Sequence, residues 1–244
     1  MVKSDLSGRR ALVSGGALRI GRAICLALAR AGADVVIHYR SSADEAAALK
    51  AELETLGVRA HTLRADFARL ESCAELIEAA AAAVGGIDIL VNSASVFHKD
   101  SLRTLNADKL RAELQVNLEA PLLLMGHFAE QTASGDIVNL LDTRVAGDDK
   151  SCAPYLLSKK ALEDATRLAA IEYAPGIKVN AIAPGDVLPP NRKTSDYATE
   201  YALPSPLDPK PAPEDIADSA VFLIRSAVIT GQTLYVDSGA HLLA

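Results

Sequence analysis

Aromatic side chains make up only 4% of this 244-residue chain. The apolar bulk comes instead from alanine, leucine, valine and isoleucine, the vocabulary of helices and buried strands. A basic stripe is also missing: the net charge is −6, and the pairs Arg9-Arg10 and Lys159-Lys160 are too short to form a patch. An acidic chain of this kind has little with which to neutralise phosphates, which argues against a nucleic-acid partner. Cysteine is scarce. Cys25, Cys73 and Cys152 form no CxxC and cannot all pair, so a reducing, cytoplasmic setting is expected; Cys25, among apolar residues, reads as a small buried hydrophobe. The first residues, MVKSDLSGRRALV, carry no apolar stretch of the secretory kind. No run reaches the length of a membrane span, because Arg19, Arg22 and Arg30 interrupt the longest apolar stretch. HExxH and GxSxG are absent and no histidines are spaced as metal ligands, so metal-free chemistry is expected.

Half of the residues are hydrophobic, enough for one sizeable core. Strand-like and helix-like segments alternate along the chain. RRALVSG, DVVIHY, RAHTLRAD, IDILVNS, DIVNLL, KVNAIAP and QTLYVD read as strands. RIGRAICLALARAG, SADEAAALKAELETLG, the stretches near 70–84, 107–131 and 154–173, and PEDIADSAVFLIRS read as helices. Seven strands interleaved with helices predict a parallel sheet with helices on both faces. Right-handed crossovers make that a single-domain, doubly wound α/β Rossmann fold over 1–244. Eight of the eleven prolines fall between Pro184 and Pro213. A proline-punctuated loop of that length is expected to be functional, closing over a site, with a stiff surface connection the alternative.

Ligands bind such sheets at the carboxyl ends of the strands. After the first strand comes SGGALRIG, residues 14–21. Gly15 can adopt backbone angles closed to other residues, and Gly21 lets the following helix pack close to the sheet. The helix N-terminus then offers free N–H groups and a partial positive charge to a pyrophosphate. Arg19 interrupts the glycines; its guanidinium either supplements this pull on phosphate oxygens or lies solvated on the surface. The second strand ends His38-Tyr39-Arg40-Ser41-Ser42 with no acid at its tip. Arg40, Ser41 and Ser42 suit a ribose 2′-phosphate, whereas a carboxylate there would mark NAD. NADP(H) is therefore the expected cofactor.

The turn resembles the TGxxxGxG motif of the short-chain dehydrogenase/reductase family, with Ser14 for the threonine and Arg19 for the middle glycine. Arginine there, with His38-Tyr39-x-Arg-Ser beyond, resembles the pteridine reductase branch. The resemblance runs from about Gly8 to the C-terminal YVDSGAHL. It implies that Ser14, Ile20 and the segment His38–Ser41 flank the cofactor. Asp66 in RADF, followed by Phe67, matches an aspartate that hydrogen-bonds the adenine amino group, although the residue also suits a helix cap. Asn92, Ala94 and Ser95 of VNSASVF match a cofactor-binding segment, with Ser93 replacing the second asparagine usual in that branch. In these relatives the counterpart of Phe97 stacks on a pterin. Pro184, Gly185, Val187 and Leu188 are expected to bind the cofactor, Val187 and Leu188 near the nicotinamide.

Tyr155 and Lys159 lie four apart in YLLSK, hence on one helix face, where the family carries its Tyr-x-x-x-Lys pair. Hydride delivered to carbon leaves the adjoining heteroatom needing a proton, which a tyrosine can supply. A nearby ammonium is expected to lower the tyrosine pKa from its usual value near 10. Asn117 in QVNLEAP matches the asparagine that orders a water behind the lysine; an asparagine bonding backbone fits the position as well. Where the family at large has a catalytic serine stands Asp142, again as in pteridine reductases. A carboxylate opposes the charge developing on a ketone oxygen but favours protonation of a ring C=N; in a dry pocket Asp142 could also stay protonated and act as a donor. Alternatively Thr143 takes over from a degenerate Asp142.

The sequence thus predicts an NADPH-dependent reductase of pterins or dihydrofolate. Ser95, Phe97, Asp142, Tyr155 and Arg19 would meet the substrate, and the resemblance implies a homotetramer. Two alternatives stand: a carbonyl reductase acting on 3-oxoacyl thioesters, and a non-catalytic NADP(H)-binding regulator.

Overall fold

A computed structural model describes residues 6–188 and 204–243. Strands β1 (Arg10–Ser14), β2 (Asp34–Tyr39), β3 (Ala60–Arg64), β4 (Ile89–Asn92), β5 (Gly135–Leu140), β6 (Ile177–Pro184) and β7 (Thr233–Val236) form one parallel sheet in the order β3-β2-β1-β4-β5-β6-β7. Both faces are covered, as a parallel sheet requires. Successive residues make the point: Ala11 and Val13 of β1 join one core cluster while Leu12 joins the other. Val35 and Ile37 of β2 likewise oppose Val36.

Helices α1 (Arg19–Arg30) and α2 (Ala43–Thr55) pack on the first face with α7 (Pro213–Arg225); α3 (Ser72–Val84), α5 (Ala120–Gln131) and α6 (Ala153–Glu172) pack on the second. Each large apolar side chain buried in these layers contributes about 1.5–3 kcal/mol. Among the described residues no helix is long and apolar enough to cross a membrane.

Two departures from the expected elements matter for the site. The stretch 107–131 is not one helix. It divides into α4 (Ala107–Leu114), a π-helical turn (Gln115–Glu119) and α5. Pure helical periodicity hides such a turn, because it inserts one extra residue without ending the helix. The connection between β5 and α6 also contains two short 3₁₀ turns, Thr143–Ala146 and Lys150–Cys152. Chain order reverses between β1 and β4, opening the crevice in which doubly wound sheets bind ligands. Of the loop expected over 184–213, residues 189–203 lie outside the described residues.

Candidate active site

Steric fit defines the β1 end of the crevice. Gly15 has φ +64°, and a Cβ there would stand 2.8 Å from the Ala94 Cα; one on Gly21 would stand 2.2 Å from the Gly15 carbonyl oxygen. Neither space admits a side chain, so at these two positions the backbone can be approached closely by a ligand at the first turn of α1. Arg19, the first residue of α1, also holds a positive φ, +55°. Its Nη2 donates to the Leu188 carbonyl at 3.2 Å, tying the glycine turn to the start of the proline-rich segment.

Several groups support this turn from behind. The Ser14 hydroxyl accepts from the backbone N–H groups of Ser93 and Ala94, at 3.0 and 3.1 Å. His38 Nδ1 accepts from Gly15 N at 3.1 Å, and Nε2 lies 3.2 Å from the Ala65 carbonyl. With Nδ1 accepting, Nε2 carries the proton. The ring stacks on Phe67 at 4.5 Å, and burial pushes its pKa down to about 4. His38 is therefore a neutral brace with both nitrogens committed. Arg40 and Ser41 are exposed at the crevice edge. Asp66 lines the crevice too, while its Oδ1 caps Ala68 N at 3.1 Å.

Ion pairs organise the other end. Tyr155 and Lys159 lie on α6, 7% and 2% exposed. Tyr155 Oη donates to Asp142 Oδ2 at 3.0 Å, and Lys159 Nζ donates to the Leu140 carbonyl at 2.8 Å, standing 5.8 Å from the Tyr155 ring centre. The expected lowering of the tyrosine pKa is not what this geometry produces. Burial, then the Asp142 charge and hydrogen bond, hold Tyr155 well above its usual value. Its largely buried hydroxyl meets a carboxylate, and the ammonium donates to a carbonyl. Burial lowers Lys159 to about 8, with Asp142 and Glu113 opposing the fall.

Arg144 was not singled out from the sequence. Its Nη1 lies 3.2 Å from both Asp142 oxygens, its Nε 3.3 Å from Asp149 and its Nη2 3.7 Å from Asp186. Burial disfavours the Arg144 charge, but the Asp142 and Asp186 carboxylates outweigh it and raise the pKa above the usual arginine value. Asp186 also pairs with Lys210 at 3.3 Å, so the network joins Asp142 to both flanks of residues 189–203. The legible signal was small: Asp142 caps the turn by accepting Arg144 N at 2.9 Å, the i to i+2 habit of a capping aspartate.

Phe97, 42% exposed, stands edge-on to Tyr155 at 4.8 Å. All the expected site residues except Ser14, Asn92 and Asn117 line one cleft of about 1340 Å³. Those three lie behind it. Asn92 Nδ2 donates to Asn139 Oδ1 at 2.9 Å, joining β4 to β5. Asn117 bonds Val96 N, Val96 O, Ser95 Oγ and Glu113, and none of these side-chain hydrogen bonds goes to Lys159.

Residues 16–241 match the family described as enoyl-(acyl carrier protein) reductase. The chain is 34% identical to an uncharacterized oxidoreductase of Mycobacterium tuberculosis, over 96% of this chain and 92% of that one. It is 30% identical to the 3-oxoacyl-[acyl-carrier-protein] reductase FabG of Staphylococcus epidermidis, over 96% and 99%. Among solved structures it resembles FolM alternative dihydrofolate reductase 1 from Brucella canis complexed with NADP, with a TM-score of 0.90, 33% identity, and coverage of 98% and 96%.

Proposed function

The chain belongs to the short-chain dehydrogenase/reductase family of oxidoreductases, and from that premise we propose that it reduces a ring C=N of a pterin or dihydrofolate, in the manner of the pteridine reductase branch. NADP(H) is the cofactor, as in the FolM structure. The side-chain-free cradle at Gly15 and Gly21 fits its pyrophosphate, and Arg40 and Ser41 would hold the 2′-phosphate. When bound, NADPH supplies a hydride to the substrate carbon.

The carboxylate of Asp142, 3.0 Å from the Tyr155 hydroxyl, carries the proposal. A protonated ring nitrogen and the N–H of its reduced product both offer a donor to Asp142. A ketone offers none, and its developing oxyanion would be repelled. Tyr155, held protonated by burial and by Asp142, would serve as proton donor, and the Arg144 charge, which opposes that rise in pKa, would steady the charge left behind. Ser95 and Phe97 would form the opposite wall, with Phe97 stacking the ring. The reading extends to a substrate-binding loop over 184–213 and to a homotetramer, for which the exposed Leu168 and Ile171 of α6 offer apolar surface.

The 30% identity to FabG favours a second reading, reduction of 3-oxoacyl thioesters. One experiment separates the two: kcat/KM with NADPH for dihydrobiopterin or dihydrofolate beside a β-keto ester, in the native protein and in Asp142→Ser. Asp142→Ser is expected to lose pterin reduction by about ten- to over a hundredfold, the equivalent of one charge-assisted hydrogen bond of about 1.5–3 kcal/mol. Any ketone activity should fall less or rise. A native protein that ignores pterins and reduces the β-keto ester briskly overturns the proposal in favour of the second reading.

A further inference from the structure

Glu113 is the only buried residue of α4, and its side chain is 1% exposed. Three donors converge on it: the His98 backbone N–H, His98 Nδ1 and Asn117 Nδ2, each at 2.7 Å. Burial raises the Glu113 pKa, and the hydrogen bonds from His98 and Asn117 oppose that rise; an ionised carboxylate, which only accepts, satisfies all three donors, whereas an amide in its place would turn a donor toward a donor. Asn117 continues the lattice from the π turn. Its Oδ1 accepts from Val96 N at 2.9 Å and from Ser95 Oγ at 3.0 Å, and its Nδ2 also donates to Val96 O at 2.9 Å.

Segment 95–98 has no helix or strand of its own, so these bonds set its course. Phe97 lies between the anchored residues and faces Tyr155.

We propose that Glu113 is a positioning residue of this active site: its carboxylate, through His98 and Asn117, fixes the 95–98 wall that presents Phe97 to the substrate. This rests on Tyr155 and Lys159 forming the reaction centre, and not on the substrate being a pterin. The neighbouring charges are otherwise engaged. Arg144 pairs with Asp142, and Lys109, earlier on α4, pairs with Asp100 at 2.6 Å. The exposed ring of His98 is the group that links Glu113 to solvent.

The test compares Glu113→Gln and Glu113→Asp with the native protein, using whichever of dihydrobiopterin or β-keto ester the native protein turns over. Failure of the pterin reading therefore leaves the test standing. In Glu113→Gln, KM should rise about tenfold, the loss of one hydrogen bond to a charged group, with a smaller change in kcat. Hydrogen exchange at the Val96 and His98 amides should quicken. NADPH affinity, read by nucleotide fluorescence, should change less than about twofold, since none of these bonds reaches the glycine turn.

Glu113→Asp keeps the carboxylate but is one methylene short. Its KM should lie between those of the native protein and Glu113→Gln, again with a smaller change in kcat, a split that a merely structural role would not produce. It also carries the test alone if Glu113→Gln does not fold. Unchanged KM and exchange rates in Glu113→Gln, or in Glu113→Asp where only that variant folds, overturn the proposal.

Discussion

The two ends of the cleft share one sheet edge and are built on different physics. Over β1 and β2, shape decides: glycines fill spaces that admit no Cβ, and a neutral buried histidine bridges the turn to Ala65. Over β4, β5 and β6, charge decides. Asp142, Asp149 and Asp186 gather around Arg144, and a buried carboxylate anchors the segment that holds Phe97. The first end is preorganised by contacts that pH and salt barely touch within the neutral range. The second is poised by ionised groups in a low dielectric, where small changes are felt strongly. A nucleotide common to many reactions suits the first. A reaction that moves a proton suits the second.

The largest expected effect tests whether the two ends are separable. Tyr155→Phe removes one hydroxyl from the charged end and nothing from the steric end. Turnover should fall about 10²–10⁴-fold, the usual contribution of a general acid, while NADPH affinity by fluorescence titration stays within about twofold. Loss of NADPH affinity alongside turnover would break the comparison, because the hydroxyl would then be shaping the nucleotide end too. Retained turnover would move the proton donor elsewhere, with Asp142 or water next in line.

The steric end was the more legible in the sequence, for a physical reason. Its elements are consecutive: strand, SGGALRIG, helix, strand. Glycine spacing reports directly on where a Cβ is forbidden. The alternation of strands and helices was enough to predict the sheet, since period-2 and period-3.6 patterns encode which faces are buried. The charged end was legible only where its partners share one helix face, as Tyr155 and Lys159 do. Arg144 lies 42 residues from Asp186, so no local pattern joins them. Glu113 reads as one more polar position on a helix, and the π turn that brings Asn117 under Val96 leaves no mark in the periodicity. Even the Tyr155–Lys159 pair misled in one respect. Spacing placed an ammonium near the ring but could not show the hydroxyl turned toward Asp142.

The next effect is one of pH, and the two ends should respond on opposite sides of neutrality. His38 titrates near 4 in the folded protein because of burial, against about 6.5 for an ordinary histidine. Above about pH 6.5 it is neutral in both folded and unfolded chains and has no effect. Between about 6.5 and 4 the unfolded chain gains a proton that the folded one refuses, so stability falls with pH, by about 3 kcal/mol in total. Urea midpoints across that window should show the decline, and His38→Gln should flatten it. At the charged end, kcat/KM should fall as pH rises through about 8, where the buried Lys159 of the free enzyme loses its proton. Midpoints independent of pH over that window would show that His38 is not the protein's neutral brace.

Arg19 joins the two ends, and the smallest expected effect is there. It is a non-glycine residue at φ +55°, a conformation that costs an L-residue about 1–2 kcal/mol. Glycine would remove that strain and return part of the gain by loosening the unfolded chain, about 0.5–1 kcal/mol. Arg19→Gly should therefore leave the melting temperature nearly unchanged or slightly raised, even though the bond to Leu188 is lost. NADPH affinity should weaken about tenfold, or about 1.4 kcal/mol, the loss of one charged contact to phosphate. On the proposed reading, the strained arginine stands where glycine would fit because its guanidinium serves binding. The measurement is a thermal melt beside an NADPH titration, at low and moderate salt. An equally stable variant with undiminished affinity would make Arg19 a surface residue tied to Leu188, and the steric end would then hold its cofactor by shape and helix dipole alone.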